Sequence, residues 1–496
     1  MTVINIPNVI VVGNEAIEGS GSTSPSPTPT VKTNKTLQYY MARMAAGEEV
    51  KIACYGDSTT DGQGTTGWAK NPVVSSGNAA GNSNHESTAL NAWPKKLQDI
   101  LRDMYSNENI HVYNAGYTGK TLANGWALRN FPTAVTNNPH YGVCDIVFVD
   151  FGLNDIPTVG SQLNETIEQT NLLIDEIEKT GALPVLLASG PSWKGDSDRS
   201  KKELLFEINT IKEDIAAQRG IPFINKAALM TEWLEANVDS PWIVLEPDGL
   251  HFKDEGHQVQ ASLIAGELFS GLIEIENEKD VQYVSFMDNR VVCAIGYGGH
   301  YNTQTSRFPN ILCANNYVNS NLGKEILTFW FKVKNNSTAM FYNAMRNEGI
   351  TDISNPINTK LVNLCTNEEI VNAPSPNQGF LINSTNGDNG SFPLMLDCLN
   401  HGIYRVSVTL PKTKGSFSNG TFVSYFSFYP KWQRASLGSS SVKTINPFYH
   451  RVGGISGARE LFYKGITPDG SNHWGLGWKV KKSTLFFKAS LSKLAG

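Results

Sequence analysis

Positive charge never gathers in this sequence. Its 41 Lys and Arg residues are outnumbered by 46 Asp and Glu, for a net charge of −5, and they form no basic run. A phosphate backbone is held by clustered cations, so nucleic acid is not expected as a partner. Long apolar runs are missing as well. No stretch matches the ~20 apolar residues that span a bilayer, and no membrane partner is expected. The opening Met1–Pro7 lacks a basic segment followed by an apolar one, so no secretory signal is expected. The Asn-x-Ser/Thr triplets at Asn34, Asn164, Asn383 and Asn419 then carry little weight. Cysteine is scarce. The six (54, 144, 293, 313, 365 and 398) show no CxxC pair and no paired metal spacing. Cys54 and Cys144 lie in apolar, strand-like runs and read as buried thiols. Disulfides are not expected among the C-terminal four.

What is present is length and order. At roughly 100–200 residues per domain, 496 residues suggest two to four domains, and 40% hydrophobic residues suffice for packed cores. Residues 1–35 read as an appendage: a short apolar stretch, Val3–Val12, then Gly19–Thr30, whose alternating prolines and serines favour a semi-extended linker. Residues 36–275 alternate strand and helix. The spacing predicts short buried strands at Val50–Tyr55, Ile110–Asn114, Asp145–Phe151, Leu183–Ala188 and Pro222–Asn225. Leu204, Ile208, Ile211 and Ile215 mark one helix face with Gly220 as its stop. Leu163, Ile167, Ile174 and Ile177 mark another, ending near Gly181. This alternation predicts an α/β fold, a doubly wound parallel sheet with ligands at the carboxyl ends of the strands. In residues 276–496 short alternating or aromatic runs replace the helical patterns: Val281–Phe286, Arg290–Tyr297, Thr328–Lys334, Tyr404–Leu410, Thr421–Tyr429 and Thr484–Leu491. They predict an all-β sandwich or jelly roll.

Four segments carry the chemistry. A strand runs into Gly56-Asp57-Ser58. A second strand leads to the loop Gly116-Tyr117-Thr118-Gly119. A third ends in Gly152-Leu153-Asn154-Asp155, and Asp248-Gly249-Leu250-His251 follows far downstream. A serine hydroxyl is a poor nucleophile at neutral pH. An imidazole to take its proton and a carboxylate to orient that imidazole make it one. Thr60 stands where the G-x-S-x-G elbow of α/β-hydrolases has its second glycine, so that motif is absent. The four segments, in this order, resemble the blocks of the SGNH (GDSL-like) hydrolase family over residues 50 to about 265. The resemblance implies a flavodoxin-like domain in which Ser58 is the nucleophile, His251 the general base and Asp248 its orienting carboxylate. It implies an oxyanion hole from the N–H groups of Ser58 and Gly119, with Gly116 as the competing glycine, and the side chain of Asn154. Thr59 departs from the leucine common there and reads as packing.

Nearby groups have plainer readings. Asp57 and Asp155 read as carboxylates capping backbone N–H groups, and His257 as structural, in a helix from Gly256 to Leu268. A metal set of Asp248, His251, Asp254 and His257 lacks a completing cluster, so no metal and no cofactor is expected. Trp68, Trp93, Trp126 and Trp193 read as cleft borders or core. The polar loop from Gly67 to Asn91 disfavours a lipase and favours a small acyl group on a hydrophilic carrier. The layout resembles bacteriophage tailspike or tail-fibre esterases. It implies removal of O-acetyl groups from an acetylated bacterial capsular or O-antigen polysaccharide, a virion location, an N-terminus docked to a virion tail protein, and a β-domain for glycan binding or homo-oligomer assembly. The competing readings are a secreted or surface-attached bacterial carbohydrate esterase with an appended sugar-binding domain, and a glycan-binding protein that keeps the fold without turnover.

Overall fold

The computed structural model describes residues 35–68, 89–138, 140–155, 161–192, 199–275, 282–285, 290, 312–313, 325–334, 338–346, 358–371, 391–409 and 421–430. The N-terminal appendage, most of the Gly67–Asn91 loop, Trp193 and the strands expected at Arg290–Tyr297 and Thr484–Leu491 lie outside these residues, apart from a few at their edges.

Five strands, Val50–Gly56 (β1), Ile110–Gly116 (β2), Ile146–Asp150 (β3), Leu183–Leu187 (β4) and Phe223–Ile224 (β5), pair in the order β2-β1-β3-β4-β5, all parallel. This is the flavodoxin-like doubly wound order. The strands read as continuous apolar runs because both faces are covered. Along β1, Val50, Ile52 and Cys54 face one core, and Ala53 and Tyr55 face the other. The first core is covered by α1 (Leu37–Ala45), α3 (Trp93–Tyr105), α7 (Lys226–Asn237) and α8 (Asp254–Glu267). The second lies under α4 (Trp126–Phe131), α5 (Ser161–Lys179) and α6 (Arg199–Arg219). Each fully buried Leu, Ile, Val or Phe contributes about 1.5–3 kcal/mol. The short helix α2 (Ser58–Asp61) sits at the carboxyl end of β1.

The expected strands match to within two residues at each end, and Gly181 and Gly220 follow their helices. The face of α5 is phased differently. Thr166, Thr170, Leu173, Ile174 and Ile177 are buried, whereas Ile167 is exposed. The threonines stand one position off the apolar stripe. Burial is possible because the hydroxyl of Thr170 donates to the Thr166 carbonyl at 2.6 Å.

The remaining strands form two sheets. Glu325–Val333 (β9), Asn358–Asn363 (β11), Glu368–Val371 (β12) and Gly402–Thr409 (β14) make one of them. Ile273–Ile275 (β6) joins it in parallel with β9, giving the order β12-β11-β14-β9-β6. The other contains Gln282–Ser285 (β7), Leu312–Cys313 (β8), Thr338–Arg346 (β10), Ser391–Leu399 (β13) and Thr421–Pro430 (β15), all antiparallel. Phe331 of β9 meets Phe428 of β15, ring centroids 4.9 Å apart.

The first of these sheets packs directly on the helices of the parallel-sheet domain. Trp330, Leu364, Cys365 and Ile403 belong to the same buried cluster as Trp233, Leu234, Leu268 and Phe269. A Cβ at Gly266 of α8 would lie 2.4 Å from Ile403 Cδ1, so glycine there admits the sheet. Polar ties surround the contact. Asn237 donates to the His401 carbonyl (2.8 Å), Ser262 to the Leu364 carbonyl (2.6 Å), and Arg405 pairs with Asp103 (3.0 Å) and Glu325 (2.7 Å). Cys54, Cys144 and Cys365 are buried free thiols. No helix among the described residues is long and apolar enough to cross a membrane.

Ile403→Ala empties a site shared by helix and sheet. Urea unfolding should show a loss of about 2–5 kcal/mol, in one transition common to tryptophan fluorescence and far-ultraviolet dichroism. Two separate transitions would mean the cores are independent.

Candidate active site

Ser58 owes its position to a turn that α2 makes immediately after β1. Asp57 caps that helix, its Oδ1 accepting the backbone N–H and the hydroxyl of Thr59, each at 2.9 Å. The helix is wedged against neighbouring backbone. A Cβ at Gly116 would fall 2.1 Å from the Asp61 nitrogen, and one at Gly56 would fall 2.8 Å from the Asp150 carbonyl oxygen. Both positions therefore require glycine. Ser58 is 4% exposed, and its N–H donates to nothing among the described residues.

The partner loop is a hairpin. Lys253 N–H bonds the Val244 carbonyl (2.8 Å) and Glu246 N–H bonds the His251 carbonyl (2.9 Å). At its tip the three-residue spacing lets Asp248 fold back on its own chain. Oδ1 accepts the N–H groups of Leu250 (2.9 Å) and His251 (3.0 Å), and Oδ2 lies 2.5 Å from His251 Nδ1. His251 Nε2 then stands 2.9 Å from Ser58 Oγ. Burial pushes the Asp248 carboxyl up, but the N–H and imidazole of His251 and the N–H of Leu250 outweigh it and hold the group below the ordinary carboxylate range. Its anionic form fixes the proton on Nδ1 and leaves Nε2 as the acceptor for the serine hydroxyl.

The two remaining segments flank this set. Gly119 is exposed in the loop after β2, with φ +75°, and its N–H has no acceptor among the described residues. Gly116, the competing glycine, is buried and gives its N–H to Asn114 Oδ1 at 2.9 Å. Asn154 follows β3, and its side-chain amide donates to the Lys120 carbonyl at 3.1 Å, which leaves one amide hydrogen over. Leu153, Leu205 and Ile208 form a small buried cluster, against which the partly buried Leu163, Leu204 and Leu250 pack.

Other expectations resolve into structure. Asp155 caps the neighbouring loop rather than its own, accepting from Leu122 (3.2 Å) and Ala123 (2.7 Å). His257 is fully buried, accepts the Trp93 N–H at 3.1 Å, and is pushed by burial down to about 3. Asp254 accepts the Thr66 N–H at 2.8 Å. Trp93 is core, and Trp68 donates to Asp61 at 3.2 Å.

Beneath the site are buried charges that sequence reasoning missed. Lys226 and Asp150, at most 1% exposed, pair at 2.5 Å, and Asp150 Oδ2 also accepts the Thr60 hydroxyl at 2.7 Å. Lys212 Nζ donates to the carbonyls of Phe151 and Leu187 and to the Ser189 hydroxyl, and burial lowers its pKa to about 8. Asp61 accepts the hydroxyl of Thr118, the neighbour of Gly119, at 2.7 Å. Lys212 had a visible signal: it falls four residues after Ile208, on the buried face of α6.

Two variants test this support. Lys226→Met strands the Asp150 carboxylate, and urea unfolding should show a loss of about 3–5 kcal/mol that a second change, Asp150→Asn, partly recovers. Asp57 is fully buried. Burial and the Asp150 charge raise its pKa to about 6, against the opposing bonds from Thr59. A raised carboxyl pKa means that the native state binds the proton more tightly, so this group's contribution to stability falls as pH rises from about 4 to about 6. Asn keeps the cap. Asp57→Asn should therefore be more stable than the parent at pH 7.5, by up to about 3 kcal/mol, with the gap closing by pH 4. A gap independent of pH would refute the assignment.

Comparison with known proteins follows the same outline. Residues 54–259 match the model of the GDSL-like Lipase/Acylhydrolase family. An acetylxylan esterase of Xylanibacter ruminicola is 24% identical over 241 residues, covering 45% of this chain and 43% of that protein. The tail fibre protein gp63.1 of an E. coli phage superposes with a TM-score of 0.57 at 14% identity, over 80% of this chain and 49% of its own. The chain thus spans less than half the length of each. The tail-fibre likeness is one of fold. The segment from Cys54 to Val259, which carries Ser58, Gly119, Asn154, Asp248 and His251, is the part of the chain that matches the GDSL-like lipase/acylhydrolase family.

Proposed function

We propose that the protein is a serine esterase that removes O-acetyl or similarly short acyl groups from an acetylated bacterial surface polysaccharide. The observation that carries this reading is the line from Asp248 through His251 to Ser58, with contacts of 2.5 and 2.9 Å. Ser58 Oγ attacks the ester carbonyl and its proton passes to His251 Nε2. Asp248 holds the Nδ1 proton and stabilises the imidazolium. The Ser58 and Gly119 N–H groups and the Asn154 amide take the developing oxyanion. His251 then protonates the leaving sugar hydroxyl. Water, deprotonated by His251, attacks the acyl-enzyme, and the acid leaves. Leu153 and Leu250, the chain neighbours of Asn154 and His251, pack in one apolar cluster that suits the acyl methyl group.

The carrier and the setting rest on layout. A short apolar N-terminal segment, a Ser/Pro linker, the esterase domain (36–275) and β-structure (276–496) fit a phage tail-fibre protein, in line with its fold likeness to gp63.1. On this reading residues 1–35 dock to the virion, and the β-domain binds glycan or joins copies of the chain. The Xylanibacter relative favours a second reading, a bacterial carbohydrate esterase acting on acetylated xylan.

p-Nitrophenyl esters of increasing acyl length decide the chemistry. Acetate should be released fastest. Ser58→Ala should reduce kcat by at least about 10⁴-fold, and Asn154→Ala by about 10²–10³-fold. Equal turnover by the parent and Ser58→Ala would sink the assignment. Acetate release from O-acetylated capsule against acetylxylan then separates the two carriers.

A further inference from the structure

Two cations and an indole stand beside the Gly119 loop without a role in the chemistry above. Lys120 follows Gly119 directly, and its carbonyl is the acceptor of the Asn154 amide. Its Nζ lies 5.4 Å from the centroid of the Trp126 ring. Arg129, one helical turn further along α4, is exposed and uses one N–H on the Asn124 carbonyl at 2.8 Å. Neither cation forms an ion pair with a carboxylate among the described residues. Elsewhere on the domain pairing is common. Arg43 engages Asp145 and Glu48, Lys95 engages Asp99, and Arg219 engages Asp175 and Glu178. Trp126 is half-buried and packs against Tyr117 (5.2 Å) and Tyr55 (6.5 Å).

Resting on the esterase reading of Ser58, we infer that Lys120, Trp126 and Arg129 form a subsite for a carboxylate-bearing sugar adjacent to the acylated one. A guanidinium with free N–H groups matches a carboxylate in planar, charge-assisted pairs, and an ammonium adds a point charge. The Trp126 ring, under the Lys120 ammonium, holds that charge beside the Gly119 loop and adds an apolar edge to the subsite. The chain as a whole is acidic, at net −5, so these two cations mark a local preference for an anion next to the reacting ester. The preferred carriers are then acidic polysaccharides, such as hexuronate-containing capsules.

Calorimetric titration of the whole chain carrying Ser58→Ala, which prevents turnover, tests this. The probes are acetylated oligogalacturonate and acetylated xylo-oligosaccharide. The acidic probe should bind at least about tenfold more tightly, and the difference should shrink in about 0.5 M NaCl as screening shortens the reach of the charges. Lys120→Gln and Arg129→Gln should each weaken the acidic probe by about tenfold, as loss of a charged hydrogen bond would, and weaken the neutral one far less. Lys120→Arg should retain most of the affinity. Equal affinity for the two probes, no binding of the acidic one, or equal losses on both in the variants would overturn the subsite. Failure to hydrolyse p-nitrophenyl acetate would instead overturn the esterase reading, while the titration still decides the subsite.

Discussion

The turn that carries Ser58 stands on a charge pair that water does not reach. Asp150 closes β3 and shares one oxygen between the Lys226 ammonium and the Thr60 hydroxyl. Thr60 lies two residues from Ser58 in a helix of only four residues, too short to hold itself together. Its orientation is therefore borrowed from the sheet below. Buried ions of this kind add little net stability, because desolvation offsets most of their attraction. What they supply is position: Asp150 unpaired would be costly, so Lys226, Asp150 and Thr60 accept one arrangement and hold α2 to it.

The rest of the site is referenced to that helix. Gly116 brings the end of β2 against the Asp61 backbone, and the Asp61 carboxylate holds Thr118 beside Gly119. On the other side, the Gly62–Trp68 loop meets the histidine hairpin. A Cβ at Gly64 would lie 2.6 Å from the Phe252 carbonyl oxygen, and Thr66 bonds Asp254. Lys212 gathers the ends of β3 and β4 under Asn154. Ser58, Gly119 and Asn154 thus follow three different strand ends, while Asp248 and His251 share one hairpin before α8, and the backbone contacts among them tolerate little displacement.

Much of this was legible in the sequence. Apolar runs covered on both faces announced β1 to β5, and the separated Gly-Asp-Ser, Gly loop, Gly-Leu-Asn-Asp and Asp-Gly-Leu-His segments announced which strand ends would meet. That the Gly116 N–H is spent was not legible, because it depends on the Asn114 side chain. Lys226 was hidden for a related reason, and Lys212 showed only in its place on the apolar face of α6. A lysine in a sequence reads as surface, and only the helix phase and the strand ends reveal carbonyls and a carboxylate waiting around it. The C-terminal strands β10, β11 and β13 are masked in the sequence because polar residues and turn-formers interrupt their alternation. The parallel pairing of β6 with β9 joins segments some fifty residues apart, which a local pattern cannot show.

Gly266 and Ile403 meet where α8 supports both the parallel sheet and β14. A β-region that is to be exchanged between related genes must come away cleanly, and this one does not. A new β-region would need a side chain to fill the notch over Gly266 and a partner for Asp103, or the donated helix face would have to travel with it. The natural unit of recombination is therefore larger than the β-structure itself. It reaches back through α7 and α8 and takes the hairpin that carries Asp248 and His251 along with it.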